Sequence, residues 1–170
     1  MHRVVGSLLT FGQATSTDTS PTDDAPLASV VEAAVRAVRV GMDTVEVEIE
    51  VDPIPVDILL DAAWGERILL NLLENAVRYR SPDRPLKIRL EWDAQRYTLT
   101  VADNGRGIPI AQRPIAFQPF SRLESATGTE GTGLGLAIVR QYLSSRGGDA
   151  RIEGDPSEGT RIVLHLPRSA

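Results

Sequence analysis

The sequence contains no cysteine, which excludes a disulfide scaffold, a thiolate zinc site and a thiol nucleophile. Its only histidines, His2 and His165, stand at opposite ends, so a histidine-rich metal site is not expected. Lysine is nearly missing: of 18 basic residues, all but Lys87 are arginine. A P-loop needs Gly-Lys-Ser/Thr, and an ordinary protein kinase needs a strand lysine with His-Arg-Asp and Asp-Phe-Gly. None of these strings is present. There is no basic excess either: 18 basic residues against 23 acids give a net charge of −5, which speaks against nucleic-acid binding. No apolar run approaches the roughly 18 residues of a membrane span, and no charged-then-apolar leader opens the chain, so neither a span nor a signal peptide is expected in this segment.

What is present is ordinary for a globular chain of 170 residues: 42% hydrophobic and 24% charged, enough for one domain with an appendage. In residues 3–11, Val4 pairs with Leu8 and Val5 with Leu9 at helical spacing, a short helix or the end of a longer one. Residues 12–26 carry no large apolar side chain and are rich in Thr, Ser, Asp and Pro, the composition of a linker. The globular pattern starts at Leu27, with Ser29 as a possible cap for a helix ending near Gly41.

Val45, Val47, Ile49 and Val51 alternate with glutamates as a half-buried strand, and Val56–Leu60 forms another short extended run. Asp61 can cap a helix that reaches about Tyr79. Residues 87–92 and 96–102 read as a strand pair, and 133–146 as a helix stopped by Gly147-Gly148. Residues 151–153 and 160–166 close the chain as strands. A helical turn is expected near Ile110–Ala116. This mixed order predicts an α+β two-layer sandwich.

Three stretches are candidates for chemistry. On the helix before Tyr79, residues Asn71, Glu74, Asn75 and Arg78 fall in one arc opposite Leu69, Leu73 and Ala76. A solvated face with a Glu74–Arg78 pair is one reading. Asparagine is a weak helix former, so two of them a turn apart invite a ligand, and an amide oxygen suits magnesium with phosphate. After a strand comes Asp103-Asn104-Gly105-Arg106-Gly107-Ile108, locally a turn, yet one that opens roughly twenty-five residues before the next firm helix.

The third stretch, Gly128–Leu136, alternates glycines into a helix start, where free N–H groups favour an anion. A Rossmann reading fails because Leu136 stands where the third glycine should be and no apolar strand precedes. A structural glycine hinge is the alternative. Phe117 and Phe120 lie between these stretches and either anchor the loop or dock a partner.

In this order and spacing the elements resemble the catalytic ATP-binding domain of sensor histidine kinases, of the GHKL ATPase superfamily, from about Leu27 to Pro167. Asn71–Ala76 resembles the N box, Asp103-x-Gly105-x-Gly107 the first glycine box, Phe117-x-x-Phe120 the F box and Gly131–Leu136 the second glycine box. The resemblance implies a mixed, mostly antiparallel sheet of about five strands covered on one face by about three helices. It implies ATP and Mg2+ as cofactors, with Asn75 on the metal and Asn71 on the phosphate side. Asp103 would accept from the adenine amino group, with Thr160 nearby through water. Arg78 and Tyr79 would lie beside phosphates and ribose, and Gly131, Thr132, Gly133, Leu134, Gly135 and Leu136 would wrap the phosphates. Gly105, Gly107, Ile108 and Phe120 complete the implied nucleotide contacts. Glu74 is the implied base or histidine orienter, and Arg122 reaches the γ-phosphate or the partner helix.

The departure is the acceptor. His2 is followed by Arg3-Val4-Val5 and His165 alternates in a strand, so neither fits a phosphoacceptor. Residues 1–11 instead resemble the tail of the dimerisation and phosphoacceptor helix, with 12–26 as linker and 27–170 as catalytic domain. The expected partners are ATP, a phosphoacceptor histidine domain absent here and a response-regulator receiver domain, with no nucleic acid or membrane contact. The expected setting is cytoplasmic, and a homodimer is expected only in a longer protein. Two rivals share the fold: a free-standing anti-sigma-type serine kinase, and a nucleotide-sensing module without transfer.

Overall fold

The computed structural model describes residues 23–40, 47–55, 57–121 and 132–166. Residues 1–11 and most of the 12–26 stretch lie outside them. In chain order the elements are β1 (Asp24–Pro26), α1 (Leu27–Val40), β2 (Val47–Val51), β3 (Leu59–Asp61), α2 (Ala62–Arg78), β4 (Leu86–Asp93) and β5 (Thr98–Asp103). A 3-10 turn (Ile110–Gln112), α3 (Arg113–Ala116), α4 (Gly135–Ser145), β6 (Asp149–Glu153) and β7 (Thr160–His165) follow.

Five strands form one mixed sheet in the order β2-β4-β5-β7-β6, parallel only between β2 and β4. Alternation along β4 sends Leu86, Ile88 and Leu90 inward and leaves Lys87 and Arg89 exposed. The inward row joins one core with Val30, Val31 and Ala34 of α1, Leu69, Leu72 and Leu73 of α2, and Val139, Tyr142 and Leu143 of α4. The opposite face carries exposed ion pairs such as Lys87–Glu48 at 2.8 Å, each worth little in water. The expected two-layer α+β sandwich is thus the observed fold.

Local chemistry fixes the elements that carry the site. Asp61 Oδ1 accepts the Trp64 N–H at 3.0 Å and caps α2, as its position predicts. The helix closes at Tyr79, whose N–H donates to the Asn75 carbonyl at 2.9 Å. Asp93 Oδ1 accepts the N–H groups of Gln95 and Arg96 at 2.9 and 3.0 Å, shaping the β4–β5 turn.

Three local expectations change. Asp24–Pro26, linker by composition, pair antiparallel with Leu59–Asp61 as a small second sheet. The short run ends one residue later than expected, at Asp61. Ser29 is not a cap: α1 begins at Leu27, whose N–H donates to the Ile58 carbonyl at 2.7 Å.

Candidate functional site

The buried stripe of α2 (Leu69, Leu72, Leu73 and Ala76) packs on the core and turns Asn71, Asn75 and Arg78 to the half-buried opposite side, with Glu74 exposed. Asn71 Nδ2 donates to the Arg67 carbonyl at 3.0 Å, which fixes the amide on its own helix. Facing it is the start of α4. A Cβ at Gly135 would lie 3.2 Å from Asn71 Oδ1 and 3.6 Å from Asn75 Nδ2. The two asparagines and the glycine-rich helix start, where backbone N–H groups lack intrahelical partners, are therefore brought together.

Gly133 has φ 69, and a Cβ there would stand 2.7 Å from the Ser121 carbonyl oxygen, so only glycine suits this approach. Thr132 and Leu136 are half-buried, whereas the Leu134 side chain is fully buried. Leu134 therefore has only backbone to offer a ligand. Gly131 and Arg122 lie outside the described residues.

Asp103 ends β5 with its side chain directed inward beside α2, on the row of Leu99 and Val101. Its Oδ1 accepts the N–H of Gly105 at 2.8 Å and of Thr160 at 3.2 Å, so the Thr160 backbone is held against the carboxylate. Burial pushes the Asp103 carboxyl up, opposed by these hydrogen bonds and by the Arg84 charge. The loop is pinned to the end of α2: Arg106 N–H donates to the Tyr79 carbonyl at 3.0 Å and Arg84 to the Gly105 carbonyl at 3.3 Å. Gly107, at φ 71, and Gly159 press so closely on the Pro156 and Asp103 carbonyls that no Cβ fits at either. Ile108 is half-buried beyond them.

Of the two phenylalanines, Phe117 is buried with the Arg140 guanidinium 5.3 Å from its ring centre. Phe120 is 61% exposed at φ 61. One anchors the loop and the other faces solvent.

Residues whose structural partners the sequence does not mark also build the site. Asn104 accepts the Lys87 N–H at 2.8 Å and donates to the Pro85 carbonyl at 3.0 Å, and Arg113 bonds three backbone carbonyls. Such long-range partners leave no local pattern. Among the described residues no three His, Cys, Asp or Glu side chains cluster to hold a metal, and no helix is long and apolar enough to cross a membrane.

Residues 60–170 match the family described as histidine kinase-, DNA gyrase B-, and HSP90-like ATPase. The chain is 36% identical over 174 aligned residues to the signal transduction histidine-protein kinase/phosphatase MprB of Mycobacterium bovis, covering 98% of this chain and 34% of that protein. It therefore spans about a third of the length of that relative. A solved mycobacterial sensor histidine kinase MprB superposes with TM-score 0.69 at 30% identity, over 85% of this chain and 97% of that one. Full-length ShkA in complex with AMPPNP superposes with TM-score 0.76 at 24% identity, over 97% and 35% of the two chains, a likeness of fold.

Proposed function

Since the chain belongs to the histidine kinase-, DNA gyrase B-, and HSP90-like ATPase family, we propose that it is the ATP-binding catalytic domain of a two-component sensor kinase. In this reading the γ-phosphate of ATP passes to a histidine on a helical dimerisation domain, and from there to a receiver domain. The approach of Gly135 to Asn71 and Asn75 carries the reading. It sets a helix start against two amides of α2, the helix whose last carbonyl, at Tyr79, is bonded by the loop that follows Asp103.

Adenine would meet the Asp103 carboxylate, whose Oδ1 takes both backbone N–H groups and which also accepts from the Thr160 side chain. The phosphates would lie between α2 and the start of α4, within reach of Arg78. Magnesium suits an amide donor on this helix: the Asn75 side chain lies beside the space that a Cβ at Gly135 would fill, its amide oxygen would take the metal, and the nucleotide would supply further oxygens. A magnesium ion held there supplies positive charge to the phosphate oxygens. Glu74, exposed on the same helix, would face the incoming histidine as base or orienter. A neutral imidazole is already nucleophilic, so positioning matters more than deprotonation. The domain would act in the cytoplasm, dimerising through the longer protein.

Calorimetry with Mg-ATP, followed by labelling with γ-labelled ATP, tests the proposal. The chain alone should bind Mg-ATP without gaining acid-labile label, and label should appear on a phosphoacceptor hairpin supplied in trans. Acid-stable label on serine would favour the serine-kinase rival. Binding without any phosphoprotein would favour the sensing module.

A further inference from the structure

We propose that Arg113 is a positioning residue that sets the shape of the base pocket from outside it; the inference rests on the reading that Asp103 and the loop after it hold adenine. Arg113 opens α3 and uses all three guanidinium nitrogens on backbone carbonyls. Nε donates to Ile108 at 3.3 Å, Nη1 to Ile152 at 3.4 Å and Nη2 to Gly154 at 2.7 Å. One side chain thus ties the loop that follows Asp103 to the end of β6, up to 41 residues away in sequence. Only a planar fork of donors can serve three diverging acceptors at once; a lysine ammonium is a single point.

The same β6–β7 turn presses on the loop at two further places. Pro156 meets Gly107, and Gly159 meets Asp103, both closer than any Cβ would allow. Asp103, Gly107, Ile108, Arg113, Gly154 and Gly159 therefore form a closed ring, in which the Arg113 side chain spans from the turn to the loop's far end. Without it the loop has little else to hold its exit. The intervening 3-10 turn buries no side chain, and Ile110 is 69% exposed. The strut bonds backbone carbonyls, so its effect passes through the position of Ile108 and, with it, Asp103.

The test is base discrimination by the whole chain, read as the ratio of ADP to GDP affinity by calorimetry, with melting temperature alongside. Arg113→Gln should weaken ADP binding by about five- to tenfold while GDP binding changes less, so the ratio narrows. Arg113→Lys should recover part of the ratio, and it keeps the test usable should the glutamine variant fail to fold. Asp103→Asn is the control on the underlying reading. An unchanged ratio in the Arg113 variants, while Asp103→Asn collapses it, overturns the role given to Arg113. So does a lowered melting temperature with the ratio intact, which would make Arg113 a structural tie only. A wild-type ratio near one that Asp103→Asn leaves alone overturns the adenine pocket itself, and this inference with it.

Discussion

Gly135, the first residue of α4, faces the side-chain amide of Asn71 on α2, so closely that a Cβ at 135 would stand 3.2 Å from the amide oxygen. Two segments far apart in sequence meet there with no side chain between them. Space is kept open at a helix start, where backbone N–H groups lack intrahelical partners.

Gly135→Ala separates this use of space from folding. Alanine is the better helix former, by about 1 kcal/mol in a helix interior, so the melting temperature should hold or rise slightly. Its methyl would fill the room beside Asn71 and Asn75, and Mg-ATP affinity should fall by about tenfold or more. Thermal melts and calorimetry on one preparation check both halves; unchanged affinity would mean that the phosphates do not use this gap.

Tyr142 offers a stability test away from the nucleotide. Its ring stacks on Trp64 at 4.8 Å and lies under the Arg146 guanidinium, but its buried hydroxyl has no hydrogen-bond partner among the described residues. Burial also pushes its ionisation well above the ordinary tyrosine value. An unsatisfied buried hydroxyl costs about 1–3 kcal/mol, so Tyr142→Phe should keep the stack and stabilise. A gain of about 1 kcal/mol corresponds to a rise of about 2–4 °C in melting temperature. A fall of that size would show that the hydroxyl is satisfied in solution.

The elements legible in the sequence are those whose signal is local. Asp61 caps α2 and the alternation along β4 is kept, because a cap and a period of two are properties of neighbouring residues. The juxtaposition of Asn71, Asn75 and the second glycine stretch was legible through the ordered set of motifs, not through any one of them. By contrast, β1 exists only because Asp24–Pro26 lie against Leu59–Asp61, which composition does not report. Ser29 lost its capping role because the first helical N–H found the Ile58 carbonyl instead. Arg113 reaches carbonyls 39 and 41 residues along the chain and Asn104 reaches partners 17 and 19 residues back, and such pairings leave no trace in the residues around them.

Asn75 should separate phosphate recognition from base recognition. Asn75→Asp leaves Asp103 and its loop untouched while placing a negative charge beside the proposed triphosphate path. Mg-ATP affinity or phosphotransfer should fall by about tenfold or more, and adenosine binding should stay within about twofold. Calorimetry with adenosine, ADP and ATP resolves the two. Equal losses on all three ligands would remove Asn75 from the phosphate end of the site.

Asp103 should show the opposite pattern, together with a sign in its pH dependence. In Asp103→Asn the side-chain oxygen can still accept the N–H groups of Gly105 and Thr160, but the second oxygen becomes a donor group, which would oppose the adenine amino group of the proposed pocket. A hydrogen bond to a charged acceptor is worth about 1.5–3 kcal/mol, so affinity for ATP, ADP and adenosine alike should fall by about 10- to 150-fold. Stability should move the other way. Burial raises the folded-state carboxyl pKa above its ordinary value of 3.8, so the folded protein holds this proton more tightly than the unfolded chain does. That contribution is fully present below the ordinary value and is lost as pH rises through the raised one. Near neutrality wild type therefore carries the cost of a half-buried charge that asparagine does not carry. The variant should melt at or above the wild-type temperature at pH 7, and the difference should shift in favour of wild type on acidification toward pH 4. Melts at the two pH values, set beside the affinities, check the claim. A variant that binds adenosine normally, or that melts lower at pH 7 and recovers in acid, would mean that this carboxylate is kept for the fold and not for the base.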